Sequence, residues 1–128
     1  MAFRVMVVDD EPDVELLFKQ RFRKELRTDD ISLDFVLSGE EAIKFLNSLD
    51  PFDLVLVLSD INMPGMTGLE LLKLIKEKYS HLKVFMVSAY GDEENHSTAK
   101  QFGADDFVNK PVDFALLKEK IFNLKDAL

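Results

Sequence analysis

Short apolar runs alternate with amphipathic stretches along the whole chain. An apolar, β-branched run of four to eight residues bounded by turn residues is typical of a buried strand, and apolar positions three and four residues apart are typical of a helix. These patterns predict five strands, at residues 3–8, 31–37, 52–59, 82–87 and 106–109. The four apolar helical stripes are Val14/Phe18/Phe22/Leu26, Ala42/Leu46/Leu49, Leu69/Leu72/Ile75/Tyr79 and Phe114/Leu117/Ile121/Leu124.

Local signals set the predicted helix boundaries. Pro12 suits the first residue of the first helix, because a proline lacks only an N–H that would be unpaired there. Ser38 and Glu41 have the spacing of a capping box at the start of the second helix. Asp92 is predicted to cap a short polar helix that ends before Gly103. Residues 60–68 are predicted to form a loop, since they can neither continue a strand nor begin a helix early.

Five strand–helix repeats predict an α/β protein with a five-stranded, doubly wound parallel sheet. Crossovers between parallel strands are right-handed, and they place helices on both faces of the sheet. The run Leu54–Leu58 is apolar on both faces, as in a central strand covered on two sides. No repeat or flexible linker divides the chain, so we expect a single domain over residues 1–128.

The charge balance excludes several classes of function. The 128 residues include 24 acidic and 16 basic side chains, a net charge of −8. This charge opposes binding to nucleic acid or to an anionic membrane. The chain has no cysteine, which excludes disulfide frameworks and cysteine-bound metals. No apolar run approaches the roughly 20 residues of a membrane span, and we expect a cytoplasmic protein.

Polar residues with chemical potential lie at the ends of four predicted strands. Asp9 and Asp10 follow the first strand, Asp60 the third, Ser88 the fourth and Lys110 the fifth. In open parallel sheets, ligands bind beyond the carboxyl ends of the strands, so these groups are predicted to share one pocket. Three carboxylates repel one another unless a cation lies among them, and Mg²⁺ prefers such ligands. We expect Asp10 and Asp60 to bind Mg²⁺ directly and Asp9 to lie just outside the direct ligands.

Such a site suits phosphoryl chemistry. A carboxylate can attack a phosphoryl group to give an aspartyl-phosphate. The cation and Lys110 would stabilise charge on the transferring oxygens, and Ser88 would hydrogen-bond one of them.

Five segments in this order resemble the receiver domain of two-component response regulators over nearly the whole chain. The segments are the end of the first strand with its acidic pair (Val7–Pro12), the loop Asp60–Gly68, the segment Val87–Ala89, the closing strand Gly103–Asn109 and the dipeptide Lys110-Pro111. The resemblance implies the flavodoxin-like (βα)5 receiver fold. It also implies that the Lys110–Pro111 peptide bond is cis.

The resemblance assigns roles to individual residues. Asp60 is expected to accept a phosphoryl group from a histidine kinase or phosphotransfer protein. Mg²⁺, or Mn²⁺ in its place, would be held by Asp10, Asp60 and the backbone carbonyl of Asn62. Ser88 and Phe107 would form a coupled switch pair. The protein would then modify itself and would not be a turnover enzyme.

Further consequences of the resemblance concern output and timing. The face made by the fourth helix, the fifth strand and the fifth helix is expected to change shape and act on a downstream effector or a fused output domain. The sequence does not decide whether the protein forms a homodimer through the same face. Asn62 and Tyr90 are expected to tune dephosphorylation.

One alternative stays open from sequence alone, a phosphorylation-independent interaction module of the same fold, because an intact site does not prove its use. A calcium loop is disfavoured, since Asp60, Asn62 and Gly65 match positions of an EF-hand loop but Leu71 occupies the place of its bidentate glutamate. His81 and His96 are predicted to be surface residues without a role.

Overall fold

A computed structural model of the chain describes residues 2–50, 55–89 and 92–128, and everything below refers to them. Five strands form one parallel sheet in the order β2-β1-β3-β4-β5, flanked by six helices. The strands are β1 (Phe3–Val8), β2 (Ile31–Val36), β3 (Val55–Asp60), β4 (Lys83–Ser88) and β5 (Asp106–Asn109). The helices are α1 (Asp13–Arg21), α2 (Arg23–Arg27), α3 (Gly39–Asn47), α4 (Gly68–Lys78), α5 (Glu93–Gln101) and α6 (Phe114–Ala127). This is the predicted doubly wound fold.

Each face of the sheet carries its own apolar core. Val5 and Val7 of β1 face one side, where they join residues of α1 and α6. Met6 and Val8 face the other side, where they join residues of α3, α4 and α5. This division follows from the two-residue period of a strand, which sends successive side chains to opposite faces. All six side chains of β3 are buried, as expected for a central strand.

The prediction of one continuous first helix was wrong. The segment is broken into α1 and α2 at Phe22, whose backbone angles are φ −99° and ψ 16°. The Phe22 side chain is nevertheless fully buried, and its ring stacks on Phe18 at a centroid distance of 5.8 Å. The apolar stripe therefore crosses the break without interruption. Because the first predicted helix corresponds to two helices, the predicted fourth and fifth helices correspond to α5 and α6.

Most other boundaries lie within one residue of the predicted ones. β2 ends at Val36, one residue early, and β4 runs from Lys83 to Ser88, one residue late. The predicted start of β3 at residues 52–54 falls outside the described residues. Pro12 has helical backbone angles and immediately precedes α1, so the helix begins one residue later than predicted.

Two predicted helix caps differ in outcome. The Ser38 hydroxyl accepts a hydrogen bond from the Glu41 N–H at 3.1 Å, and the Glu41 carboxylate accepts one from the Leu37 N–H at 3.3 Å. Asp92 precedes α5 but its side chain makes no capping hydrogen bond, so that part of the prediction was wrong. Its carboxylate instead accepts a hydrogen bond from the Asn95 amide at 2.8 Å. None of the described helices is both long and apolar enough to cross a membrane.

Candidate functional site

Three carboxylates meet at the carboxyl ends of the two central strands. Asp9 and Asp10 directly follow β1, and Asp60 is the last residue of β3. β1 and β3 are paired in register, with Val8 opposite Ser59, so the following residues are also neighbours. One oxygen from each carboxylate lies within 4.8 Å of the others. The predicted convergence of the acidic residues is therefore present in the structure.

Asp60 is the most enclosed member of this cluster, with 6% of its surface exposed. Its Oδ2 accepts a hydrogen bond from the Lys110 ammonium at 2.6 Å, and its Oδ1 accepts one from the Asn62 N–H at 3.3 Å. A buried carboxylate needs such partners, because an unpaired charge in a poorly hydrated place is costly. The Asp60 side chain is thus held in one orientation from both sides.

The start of α4 packs directly on the backbone of Asp60. The Gly68 N–H donates to the Ile61 carbonyl at 2.8 Å. A Cβ atom at position 68 would lie 2.0 Å from the Asp60 carbonyl oxygen, which is backbone and cannot move aside. Only glycine fits this contact. Thr67 and Glu70 form a reciprocal capping box that fixes where the helix begins.

The loop between β3 and α4 is also held from α3. The Glu40 carboxylate accepts a hydrogen bond from the Met66 N–H at 3.3 Å. A Cβ at Gly39 would lie 2.7 Å from the Met66 sulfur, so the start of α3 packs closely on the loop. Asn62 itself is exposed in this loop, with its backbone next to Asp60.

Lys110 reaches Asp60 from the end of β5. Its N–H donates to the Ser88 carbonyl at 2.9 Å, which continues the pairing of β4 with β5 by one residue. The Lys110–Pro111 peptide bond is cis, as the resemblance implied. Burial lowers the pKa of the Lys110 ammonium, but the hydrogen bond to Asp60 and the charges of Asp60, Asp9 and Glu11 outweigh it and raise the pKa overall. Lys110 is therefore a permanent positive charge beside the carboxylate.

The surroundings of Asp9 disfavour its charged form, whereas those of Lys110 favour the charged ammonium. Partial burial raises its pKa, and the charges of Asp60 and Asp10 raise it further. The hydrogen bond from the Glu11 N–H, 2.9 Å long, and the charge of Lys110 only partly offset these effects. Within the described cluster, one ammonium faces three carboxylates, so the cluster retains negative charge at neutral pH.

This donor set fits a divalent cation such as Mg²⁺. Hard cations take carboxylate and carbonyl oxygens, and Mg²⁺ uses one or two carboxylates while keeping several waters. The three clustered carboxylates supply the oxygens, and the excess negative charge supplies the attraction. The Asn62 carbonyl belongs to the loop that begins at Asp60, so it can complete the set.

Ser88 and Phe107 occupy the next two strands. Ser88 ends β4 and is 3% exposed, and it pairs in register with Asn109 of β5. Phe107 is half-buried and packs against the apolar core on the α3–α4–α5 side. Ser88 thus shares the carboxyl edge of the sheet with Asp60 and Lys110, whereas Phe107 lies two residues further back on β5. Tyr90 is not among the described residues.

The prediction for His96 was incomplete. It is half-buried in α5, and its imidazole stacks on the Phe107 ring with centroids 3.5 Å apart and planes 29° apart. The sequence contains no local signal for this contact, because the two residues lie on different elements. His81 is exposed, as predicted.

A groove of about 710 Å³ opens beside the carboxylate cluster. It runs between α1 and the start of α6 and reaches Asp60 and Lys110. Its apolar lining includes Val14, Leu17 and Phe114. A partner molecule lying in this groove would have direct access to the Asp60 carboxylate.

Comparison with known proteins agrees with this geometry. Residues 5–122 match the family model described as the response regulator receiver domain. The chain is 31% identical over 127 residues to chemotaxis protein CheY-3 of Vibrio cholerae, covering 98% of this chain and 93% of that protein. It is 32% identical over 117 residues to a cyclic di-GMP phosphodiesterase of Thermotoga maritima, covering 91% of this chain but 29% of that protein.

Solved structures of receiver domains also resemble this fold. A response regulator receiver protein from Pseudomonas putida superposes with a TM-score of 0.84 at 25% identity, covering 96% of this chain and 98% of that chain. The chain spans about a quarter of the response regulator protein PilR of Pseudomonas aeruginosa, to which it is 32% identical. The chain belongs to the response regulator receiver domain family.

Proposed function

We propose that Asp60 accepts a phosphoryl group from a phosphohistidine donor in a Mg²⁺-dependent reaction. The observation that carries this proposal is the buried Asp60 carboxylate, held by Lys110 at 2.6 Å and clustered with Asp9 and Asp10. The donor is a histidine kinase or a phosphotransfer protein. We place the domain in the cytoplasm together with that donor.

The transfer is a substitution at phosphorus. An Asp60 carboxylate oxygen attacks the phosphorus atom, an O–P bond forms, and the P–N bond to the donor imidazole breaks with its electron pair returning to nitrogen. The Lys110 ammonium lies beside the attacking carboxylate and stabilises the negative charge on the phosphoryl oxygens. In the later hydrolysis, water attacks phosphorus, the O–P bond to Asp60 breaks, and the carboxylate is restored.

Asp10, Asp60 and the Asn62 carbonyl are proposed to hold Mg²⁺, or Mn²⁺ in its place, with Asp9 outside the direct ligands. The cation would supply positive charge next to the phosphoryl oxygens. The pKa of Asp9 is raised mainly by burial and further by the charges of Asp60 and Asp10, so a nearby cation would favour its ionised form. Asn62, exposed beside Asp60, is proposed to influence hydrolysis; the corresponding role of Tyr90 stays a prediction.

The consequence of phosphorylation is a change of shape. Ser88 is proposed to move toward the phosphoryl oxygens, and the Phe107 ring to turn into the space beside it. The face made by α5, β5 and α6 then changes and acts on an effector protein or a fused output domain, and it also offers a surface for a homodimer. Each protein molecule changes its own state, so this is a switch and not a turnover enzyme.

The donor has to bring its phosphohistidine within reach of Asp60, and the groove between α1 and α6 provides the approach. The groove combines an apolar lining with direct contact to Asp60 and Lys110. Leu16 and Leu17 on α1 are 72% and 40% exposed, and Leu17 also lines the groove, so a partner docked there would bury apolar surface. We propose that the donor docks along α1.

Intact-mass spectrometry after incubation with acetyl phosphate tests the proposal. Wild-type protein should gain one phosphoryl group with Mg²⁺ and not with EDTA. Asp60→Asn should gain none, whereas the control Asp126→Asn, an exposed change at the far end of α6, should behave as the wild type. If the protein does not react with acetyl phosphate, phosphotransfer from a phosphorylated histidine kinase tests whether it needs a protein donor.

A phosphorylation-independent interaction module is not favoured, because the nucleophile, the acidic pair and the lysine are all present and in contact. Failure of both phosphoryl donors with wild-type protein would revive that alternative.

A further inference from the structure

The stack between His96 and Phe107 lies outside the phosphoryl chemistry described above. The imidazole covers one face of the phenyl ring, with a centroid separation of 3.5 Å. His96 belongs to α5 and Phe107 to β5, so the contact links the two elements whose relative arrangement is proposed to change. Any rotation of the Phe107 ring alters or breaks this stack.

A small pocket also borders His96. It has a volume of about 260 Å³ and is lined by Ser88, Ala89, Asp92, Glu93, His96, Asn109 and Lys110. Phe107 is not among these described lining residues, whereas His96 borders both the pocket and the Phe107 ring. The imidazole therefore contacts both the Phe107 ring and the space beside Ser88.

We propose that His96 is a positioning residue whose stack holds the Phe107 ring outside the pocket beside Ser88. The inference rests on the proposed function, in which the turn of Phe107 toward Ser88 accompanies phosphorylation. Stacking stabilises the ring position seen here, so it opposes the turn.

The contact itself is tested by NMR in Mg²⁺-free protein. We expect the Phe107 ring resonances to shift in His96→Ala, which removes the stacked imidazole, and to show nuclear Overhauser contacts to the imidazole in the wild type. Phe107 resonances that are unchanged in His96→Ala, together with no such contacts, would overturn the inference, whatever the phosphoryl chemistry.

The effect on switching is tested with beryllofluoride and Mg²⁺, a phosphoryl analogue that needs no donor. At about pH 7.5, His96→Ala should bind about two- to tenfold more tightly than wild type, because no stack has to be broken. His96→Phe keeps an aromatic stack and should match the wild type within about twofold.

The outcomes separate this inference from the function on which it rests. Binding by all three proteins with the same affinity would overturn the inference and leave the proposed function intact. Absence of beryllofluoride binding in all three would contradict the proposed function, and with it the switching role of His96.

Discussion

Replacing Asp9 by Asn removes one of three clustered negative charges and keeps an oxygen that can accept the hydrogen bond from the Glu11 N–H. We expect the variant to be more stable than the wild type in the absence of Mg²⁺. The same change should weaken Mg²⁺ binding. A variant that is more stable but binds Mg²⁺ more weakly would indicate that Asp9 serves cation binding at a cost in stability, as the proposed site requires.

The magnitude follows from the separation of the charges. The three carboxylate oxygens lie within 4.8 Å of one another. Two like charges at that separation repel by about 1–3 kcal/mol for effective dielectric constants between those of bulk water and a protein surface. Lys110 and solvent screening reduce the net effect, so we expect Asp9→Asn to stabilise the Mg²⁺-free protein by about 1–2 kcal/mol. For a domain of this size that corresponds to a rise in Tm of about 4–8 °C.

The stability difference should also depend on pH. Burial and the neighbouring carboxylates raise the pKa of Asp9, so the folded protein favours its protonated form. The ionised form therefore destabilises the wild type above that raised pKa, and protonation removes the penalty as the pH falls through it. The advantage of Asp9→Asn should be largest at neutral pH and should shrink on acidification.

Urea denaturation in EDTA, at a series of pH values, measures both effects. Asp126→Asn is the matched control, because it makes the same charge change at an exposed position near the end of α6. The reasoning would be refuted by an Asp9→Asn variant no more stable than wild type at neutral pH. A stability advantage that stays constant down to acidic pH would refute the electrostatic explanation of it.

Three further changes test other parts of the site, and Gly103→Ala is the control for the third. Lys110→Ala should leave the Mg²⁺ affinity within about threefold of wild type. It should also abolish the shift of the Phe107 NMR signals that Mg²⁺ and beryllofluoride cause in the wild type. A large loss of Mg²⁺ affinity would contradict the role assigned to Lys110. Ser88→Ala should still gain a phosphoryl group by intact-mass spectrometry but fail to show that shift. Gly68→Ala should cost about 3 kcal/mol in urea denaturation, because its Cβ would meet the Asp60 carbonyl at 2.0 Å. Gly103→Ala, with φ +97° and a flexible lysine as its neighbour, should cost about 1–2 kcal/mol; equal costs would contradict the steric argument.

The sequence was sufficient for the sheet and for the carboxylate cluster. Strand positions follow from short apolar runs, and in a parallel sheet with this order the residues after β1 and β3 are neighbours. Asp9, Asp10 and Asp60 therefore had to converge once the strands were placed. Lys110 follows the edge strand β5, two strands away from β3, and its side chain is long enough to reach Asp60.

The missed features arise from packing between distant elements. The helix break at Phe22 leaves no trace in the apolar pattern, because Phe22 stays buried in the same core as Phe18. His96 is eleven positions before Phe107, and their stack depends on how α5 lies over β5. Asp105 likewise accepts hydrogen bonds from the Lys76 ammonium at 2.7 Å and the Val84 N–H at 2.8 Å, joining α4, β4 and the approach to β5. No local spacing predicts such contacts.

The most direct test of the account identifies the residue that carries the phosphoryl group. Phosphorylated protein is treated with borohydride, which reduces an aspartyl-phosphate to homoserine, and the peptide containing Asp60 is sequenced by mass spectrometry. We expect homoserine at position 60, only after phosphorylation in the presence of Mg²⁺. Homoserine at Asp9 or Asp10, or none anywhere in protein that has gained a phosphoryl group, would contradict Asp60 as the phosphoacceptor.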